Sequence, residues 1–166
     1  MLVFHGPTVP DLIRTLGDEV GRSDLPPDWA FSPWIGIQGG SAAVRAEVAA
    51  LEAAGIPFSA VWVQDWIGGR FFTPTIYDLT YRWVPDTTLY PDLTGLVSEL
   101  RVDHDVRFLA YANPFVIRDL DHFAEMEAMG MLPRHADGTT YGFPVTLSQG
   151  TVADLSSPAP RTYIEG

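Results

Sequence analysis

The chain has 166 residues, 46% hydrophobic and 19% charged, with ten basic side chains that are all arginine, no cysteine and a formal net charge of −11. That length suits one domain with a core. Lack of cysteine excludes disulfides, thiolate metal sites and a thiol nucleophile, and scattered acidity without a basic tract disfavours nucleic acid and anionic membranes as partners.

The N-terminal stretch MLVFHGPTVPDLI has no basic region and no long apolar run, which argues against a signal peptide. No window is apolar enough to cross a bilayer, and a cytoplasmic protein is expected. Thr8 with Asp11 makes a capping-box start and Gly21 a stop, so the spacing predicts a helix with Leu12, Ile13, Leu16 and Val20 on one face. SDLPPDWAFSP is a proline-rich traverse. WIGIQ, from Trp34 to Gln38, reads as a short strand ended by two glycines. Ser41 is placed to cap a helix that runs to Ala54, with Val44, Val48 and Leu51 inward and Gly55 as its stop. FSAVWVQ is a near-continuous apolar run, the pattern of a parallel strand covered on both faces.

The stretch DWIGGRFFTPTIYDLTYRWVPDTTLY reads as a long loop. Pro91 then opens a helix whose inner face is Leu93, Leu96, Val97 and Leu100. VRFLAYANP is a third buried strand, halted by Asn113-Pro114. Asp119 is placed to cap a fourth helix, with Leu120, Phe123 and Ala124 inward and Gly130 at its end. Asp137-Gly138 signals a hairpin turn; TVADL is a further short strand, and Ser157-Pro158 opens a last helix. There is no internal repeat, low-complexity tract or flexible linker.

The order is a βα series, in which ligands bind beyond the carboxyl ends of the strands. Gln38 ends the first strand, Gln64 and Asp65 the second, Asn113 the third and Asp154 the fourth. Asn and Asp at strand ends also cap turns and helices, but matching positions on successive strands favour a shared binding face. His5, His104, His122 and His135 lack ligand spacing and read as surface residues; no metal or cofactor is expected. GIQGG lacks the G-x-G-x-x-G order with a following acidic residue, so a nucleotide-binding domain is the weaker reading.

WIGIQGG, AVWVQDWIGGR, FLAYANPFV and VADLSSP, in that order and spacing, resemble the catalytic barrel of family 31 glycoside hydrolases, which include α-glucosidases and α-xylosidases. A strand ending in Gln-Asp-Trp is typical of the bacterial branch that includes the sulfoquinovosidases. The resemblance implies an α/β fold, a partial (β/α)8 TIM barrel with its first three to four βα units and parallel strands. Residues 1–30 would be a lead-in segment, and residues 31–166 the amino-terminal part of the barrel. It implies a sugar-binding role for Gln64, with Asp65 and Trp66 shaping the same glycone subsite and Asn113 and Asp154 near the pocket floor. A carboxylate accepts two hydroxyl hydrogen bonds and an indole covers the apolar face of a pyranose. Trp66 as a loop anchor and Asp154 as a partner of the following helix N-terminus stay open beside those roles.

Two departures qualify the resemblance. The sulfoquinovosidase branch carries, after Gln-Asp-Trp, an arginine three residues before a tryptophan, both touching the anionic head of the sugar. Here IYDLTYRW, with a one-residue insertion, puts Asp78 at the arginine and Tyr81 at the tryptophan, while Arg70 and Arg82 lie off the motif. An aspartate repels a sulfonate, so a neutral α-glycoside is the expected sugar. The family's two aspartates, nucleophile and acid/base, work as retaining carboxyls about 5–5.5 Å apart, and the resemblance places both beyond the residues present. No catalytic residue is therefore assigned. The chain is expected to be part of a retaining α-glycoside hydrolase, inactive alone; the alternative is a non-catalytic carbohydrate-binding or self-assembling partial-barrel module. A closed barrel takes about 250 residues, so an open strand edge is expected to pair with the remainder of the barrel or with a second copy, giving a homo-oligomer.

Overall fold

The computed structural model describes residues 3–165; Met1, Leu2 and Gly166, at the outer bounds of the two expected segments, lie outside the described residues. The described residues divide into two compact units between Phe31 and Ser32. In the first, α1 (Val9–Val20) begins at Thr8, whose hydroxyl accepts from the Asp11 N–H and donates to the Asp11 carboxylate. Its apolar residues Ile13, Leu16 and Val20 are exposed. No helix among the described residues is long and apolar enough to cross a membrane.

The second unit runs β1 (Trp34–Ile37), α2 (Gly40–Ala53), β2 (Ala60–Val63), β3 (Gly69–Thr73), β4 (Ile76–Leu79), α3 (Leu93–Asp103) and β5 (Arg107–Ala110). It continues with β6 (Phe115–Ile117), α4 (Asp121–Ala128), β7 (Phe143–Val145), β8 (Ser148–Val152) and α5 (Pro158–Glu165). β1, β2 and β5 form a parallel sheet in that order, with Ile37, Val63 and Ala110 in register. Strand side chains alternate between faces. Ile37, Val61 and Val63 thus meet Val44 and Val48 of α2 and Leu96 and Leu100 of α3 in one core. Arg45 forks onto both oxygens of Glu99, holding α2 beside α3. These are three βα units of the expected barrel.

The opposite face of the sheet carries Trp34, Gly36 and Trp62, with Trp34 50% and Trp62 42% exposed. The strand in FSAVWVQ is therefore covered on one face only among the described residues. TVADL does not add a fourth parallel strand. Thr151 and Val152 end β8, which lies antiparallel between β6 and β7 in a separate sheet. Gly150 allows that pairing, since a Cβ there would stand 2.7 Å from the Val116 carbonyl oxygen.

The long loop after β2 holds the antiparallel hairpin β3–β4, in which Phe71 and Tyr77 pair edge-to-face at 5.1 Å. Ser41 is not the cap of α2: Gly39, in left-handed backbone, takes that position, and the buried Ser41 hydroxyl has no hydrogen-bond partner among the described residues. Nor does Asp119 cap α4, which starts after Leu120; Asp119 pairs with Arg70 instead. Met126, not Ala124, fills the core below α4. Gly40 has φ +87°, and a Cβ on it would lie 2.7 Å from the Leu89 carbonyl oxygen. Gly40→Ala is expected to lose about 2 kcal/mol from left-handed strain and the clash. Urea denaturation checks this, and an unchanged midpoint would contradict the tight seat of α2.

Candidate functional site

Directly after the register row Ile37, Val63 and Ala110 come Gln38, Gln64 and Tyr111. By alternation they share the face of Gly36, Trp62 and Leu109, away from the helices. Gln38 Nε2 donates to Gln64 Oε1 at 3.0 Å. Gly36, Ile37, Gln38, Trp62 and Gln64 line an open cavity of about 250 Å³. Among the described residues the Gln38 carbonyl and the Gln64 amide nitrogen have no protein partner. The bonded pair thus leaves the Gln38 side-chain oxygen to accept and amide hydrogens on both residues to donate beside an exposed indole, an uncharged set that suits a hydroxylated ring.

Asp65 lies behind this pair and is fully buried. Its Oδ2 accepts from the Gly39 N–H at 2.7 Å and the Tyr77 hydroxyl at 2.8 Å, and its Oδ1 from the Tyr90 hydroxyl at 2.5 Å. One carboxylate thereby ties the end of β2 to the start of α2, to β4 and to the approach to α3. Burial, then the Asp65 carboxylate, holds the Tyr77 and Tyr90 phenols well above the ordinary tyrosine value. Residues Asp65–Ile67 form a single helical turn closed by Gly68 at φ +105°. Trp66 sits in that turn, donates its indole N–H to the Tyr111 carbonyl at 2.8 Å and packs against two of the cores. It anchors the loop to the end of β5.

The other strand-end residues are placed elsewhere. Asn113 accepts from the Phe115 N–H, and its carbonyl from the Trp83 indole at 2.7 Å. It lines a different open cavity of about 450 Å³ with Trp83, Pro114 and Leu155. Asp154 accepts from the N–H and the hydroxyl of Ser156, which hold its carboxyl below the usual range. That is a local turn ahead of α5. The structure brings Gln38 and Gln64 together, sets Asp65 and Trp66 as their supports, and gives Asn113 and Asp154 turn-forming bonds.

Asp78 is buried and accepts from the hydroxyls of Thr146 and Ser148. Ser148 in turn accepts from Arg70, whose other nitrogen reaches Asp119 at 2.9 Å. This chain of bonds ties the β3–β4 hairpin to the β7–β8 hairpin. Tyr81 is buried too, in left-handed backbone at φ 48°, with its hydroxyl accepting from that of Tyr111. His122, expected at the surface, is half-buried, its Nε2 lacking a hydrogen-bond partner among the described residues; burial and then Arg82 lower its pKa. Trp62 and Tyr111 are the site residues that sequence reasoning missed. Counting back two from Gln64, and on two from Leu109, is the signal that marks them.

The family model described as Glycosyl hydrolases family 31 TIM-barrel domain matches residues 23–165. A sulfoquinovosidase of Escherichia coli (strain K12) is 31% identical over 155 residues, 93% of this chain and 23% of that protein. One from Agrobacterium fabrum (strain C58) is 31% identical over 161 residues, 96% of this chain and 24% of that protein. Among solved structures, a family 31 sulfoquinovosidase from E. rectale bound to an aza-sugar inhibitor superposes with TM-score 0.77 at 27% identity, over 93% of this chain and 23% of that one. A Flavobacterium johnsoniae family 31 dextranase complexed with glucose shares the fold, with TM-score 0.71 at 18% identity over 95% and 19% of the two chains. The chain thus spans about a quarter of the length of the curated relatives it matches.

Proposed function

This chain belongs to glycosyl hydrolase family 31, and from that premise we propose that it carries one wall of the glycone subsite of a retaining α-glycoside hydrolase. The observation that supports this most is the bonded pair Gln38–Gln64 beside the exposed Trp62 indole, at the carboxyl ends of two adjacent parallel strands. In this reading Gln64 and Trp62 meet the sugar, and Asp65 and Trp66 hold Gln64 in place. Asn113 and Asp154 make local turns apart from the Gln38–Gln64 cavity. The glycone is neutral in this reading: the amides carry no charge, the resemblance aligns the buried Asp78 with the arginine that would meet a sulfonate, and Arg70 is engaged by Asp119 and Ser148.

Retaining chemistry needs two carboxyls about 5–5.5 Å apart across the bond to be cut. Asp65 and Asp154 are both committed to hydrogen bonds, so neither is assigned that work. The nucleophile and the acid/base belong to barrel strands outside this stretch of chain, and the chain by itself does not turn over glycosides. β1 and β5 are the outer strands of the parallel sheet. The outer edges of that sheet, beside the exposed Trp62, are where the remaining strands, or a second copy, pair.

Titrating the chain with methyl α-glucoside while following tryptophan fluorescence tests the reading. Saturable binding is expected, weakened about tenfold in Gln64→Ala, as the loss of one to two hydrogen bonds implies. Equal binding by Gln64→Ala, preference for a sulfoquinovoside, or hydrolysis of a nitrophenyl α-glucoside by the chain would each count against it.

A further inference from the structure

Trp83 stands between two open cavities. One, of about 500 Å³, is lined by Arg82 and Val84 from the loop after β4, by His122 and Glu125 from α4, and by Tyr163 from α5. The other, of about 450 Å³, lies beside Asn113 and Pro114. Trp83, Ile164 and Glu165 line both. The indole N–H donates to the Asn113 carbonyl at 2.7 Å, and the ring packs on the core of Val116, Phe123 and Met126. The backbone works against these contacts. Trp83 has φ 58° and Tyr81, two residues earlier, φ 48°, left-handed conformations that are costly for bulky side chains.

His122 is the other half of the contact. Its ring meets the indole edge-on at 5.2 Å, and its Nε2 is buried with no hydrogen-bond partner among the described residues. An uncharged imidazole tolerates this, because one of its nitrogens carries no hydrogen. An imidazolium does not: it places a charge and a second N–H where nothing accepts. The charged and titratable groups facing it are Arg82 on the loop, Asp121 and Glu125 on α4, and Tyr163 and Glu165 on α5. Glu125 already accepts from the Tyr163 hydroxyl at 2.7 Å. Burial first, and then Arg82, hold the imidazole below its ordinary pKa, against the weaker pull of Asp121 and Glu125.

We propose that His122 and Trp83 form an acid-sensitive latch: on protonation the imidazole leaves its seat, the indole releases the Asn113 carbonyl, and the two cavities join. Release lets the loop leave left-handed backbone, so strain favours opening. Above about pH 6.5 His122 is neutral in the closed and the open form, and the latch holds. As pH falls below that, the open form binds a proton that the closed form resists. Closure then weakens by up to about tenfold per pH unit, until the closed form is itself protonated. The latch does not rest on the glycone reading.

Nitrogen–proton NMR of the chain between about pH 7.5 and 5, a range that spans the ordinary histidine value, tests this. The Trp83 indole signal is identified by its loss in Trp83→Phe. It should move toward the position of a solvent-exposed indole with a midpoint below about pH 6.5, while circular dichroism shows the helices intact. In His122→Phe, which keeps a ring against the indole and takes no proton, the signal should stay in place, and likewise in His122→Gln. Arg82→Gln should raise the midpoint, a shift that a merely structural histidine would not produce. A Trp83 signal that does not move with pH overturns the latch, as does one that moves equally in both His122 variants. Loss of helix content in the same step is general acid unfolding and overturns it too.

Discussion

Replacing Asp65 by alanine is expected to remove about 4 kcal/mol of folding stability. The carboxylate is fully buried, and its donors come from three separate segments: the Gly39 N–H, the Tyr77 hydroxyl and the Tyr90 hydroxyl. Truncation strands the buried Tyr90 hydroxyl, at about 1–3 kcal/mol for a group that water does not reach, and unpairs the part-buried Gly39 N–H and Tyr77 hydroxyl at a smaller cost each. At about 2–4 °C per kcal/mol for a chain of this size, the melting temperature should fall by roughly 10 °C. Asp65→Asn keeps the shape but turns an amide nitrogen toward groups that donate, so an intermediate loss of about 2 kcal/mol is expected. Tyr77→Phe and Tyr90→Phe each remove one donor along with its bond, and should cost about 1 kcal/mol. Urea denaturation of the four variants decides. If Asp65→Ala melts within a degree or two of the parent chain, the carboxylate is no tie and is free to meet a ligand directly.

That tie also shows what the sequence could and could not display. The periods of 2 and 3.6 residues made β1, β2, β5, α2 and α3 legible, because valines, leucines and their glycine and proline boundaries act within a few residues. The partners of Asp65 lie 26, 12 and 25 residues away, and nothing local brings them together. Asp78 hid the β3–β4 hairpin in the same way: an aspartate on a strand reads as exposed, yet here it is buried against Ser148, 70 residues on. The direction of a strand is equally invisible to alternation. TVADL has the same pattern whether it runs parallel to β5 or antiparallel to β6, and the antiparallel pairing it takes has room for no Cβ at Gly150 under Val116. Asp154 bonds Ser156, only two residues away, although its place before a helix suggested a helix N-terminal partner instead. For Trp62 the pattern misled in another manner. An apolar run does not say whether the second face is covered by this chain or by something else.

Raising the pH above about 10 is expected to unfold the chain cooperatively. Burial raises Tyr77, Tyr90 and Tyr111 above the ordinary value, and the Asp65 carboxylate adds to this for the first two, as the Tyr81 hydroxyl does for Tyr111. In the unfolded chain all three ionise near pH 10. Below that pH both states hold the protons and stability does not change. Above it the unfolded chain has released protons that the native state still keeps, so stability falls as pH rises toward the raised values. Each fully buried phenol contributes about 1.4 kcal/mol per pH unit. With Tyr77 and Tyr111 only half-buried, together they should give about 3 kcal/mol per unit. Domains are stable by only about 5–15 kcal/mol, so the transition should arrive within a few pH units above 10. Tyrosinate absorbance and circular dichroism should then change together in one step, and Tyr90→Phe should make the dependence shallower. Gradual ionisation of these tyrosines with the helices intact would show that they are open to solvent. Asp65→Asn links this result to the first: with the negative charge gone, Tyr77 and Tyr90 should ionise at lower pH, while Tyr111, which does not touch Asp65, should not move.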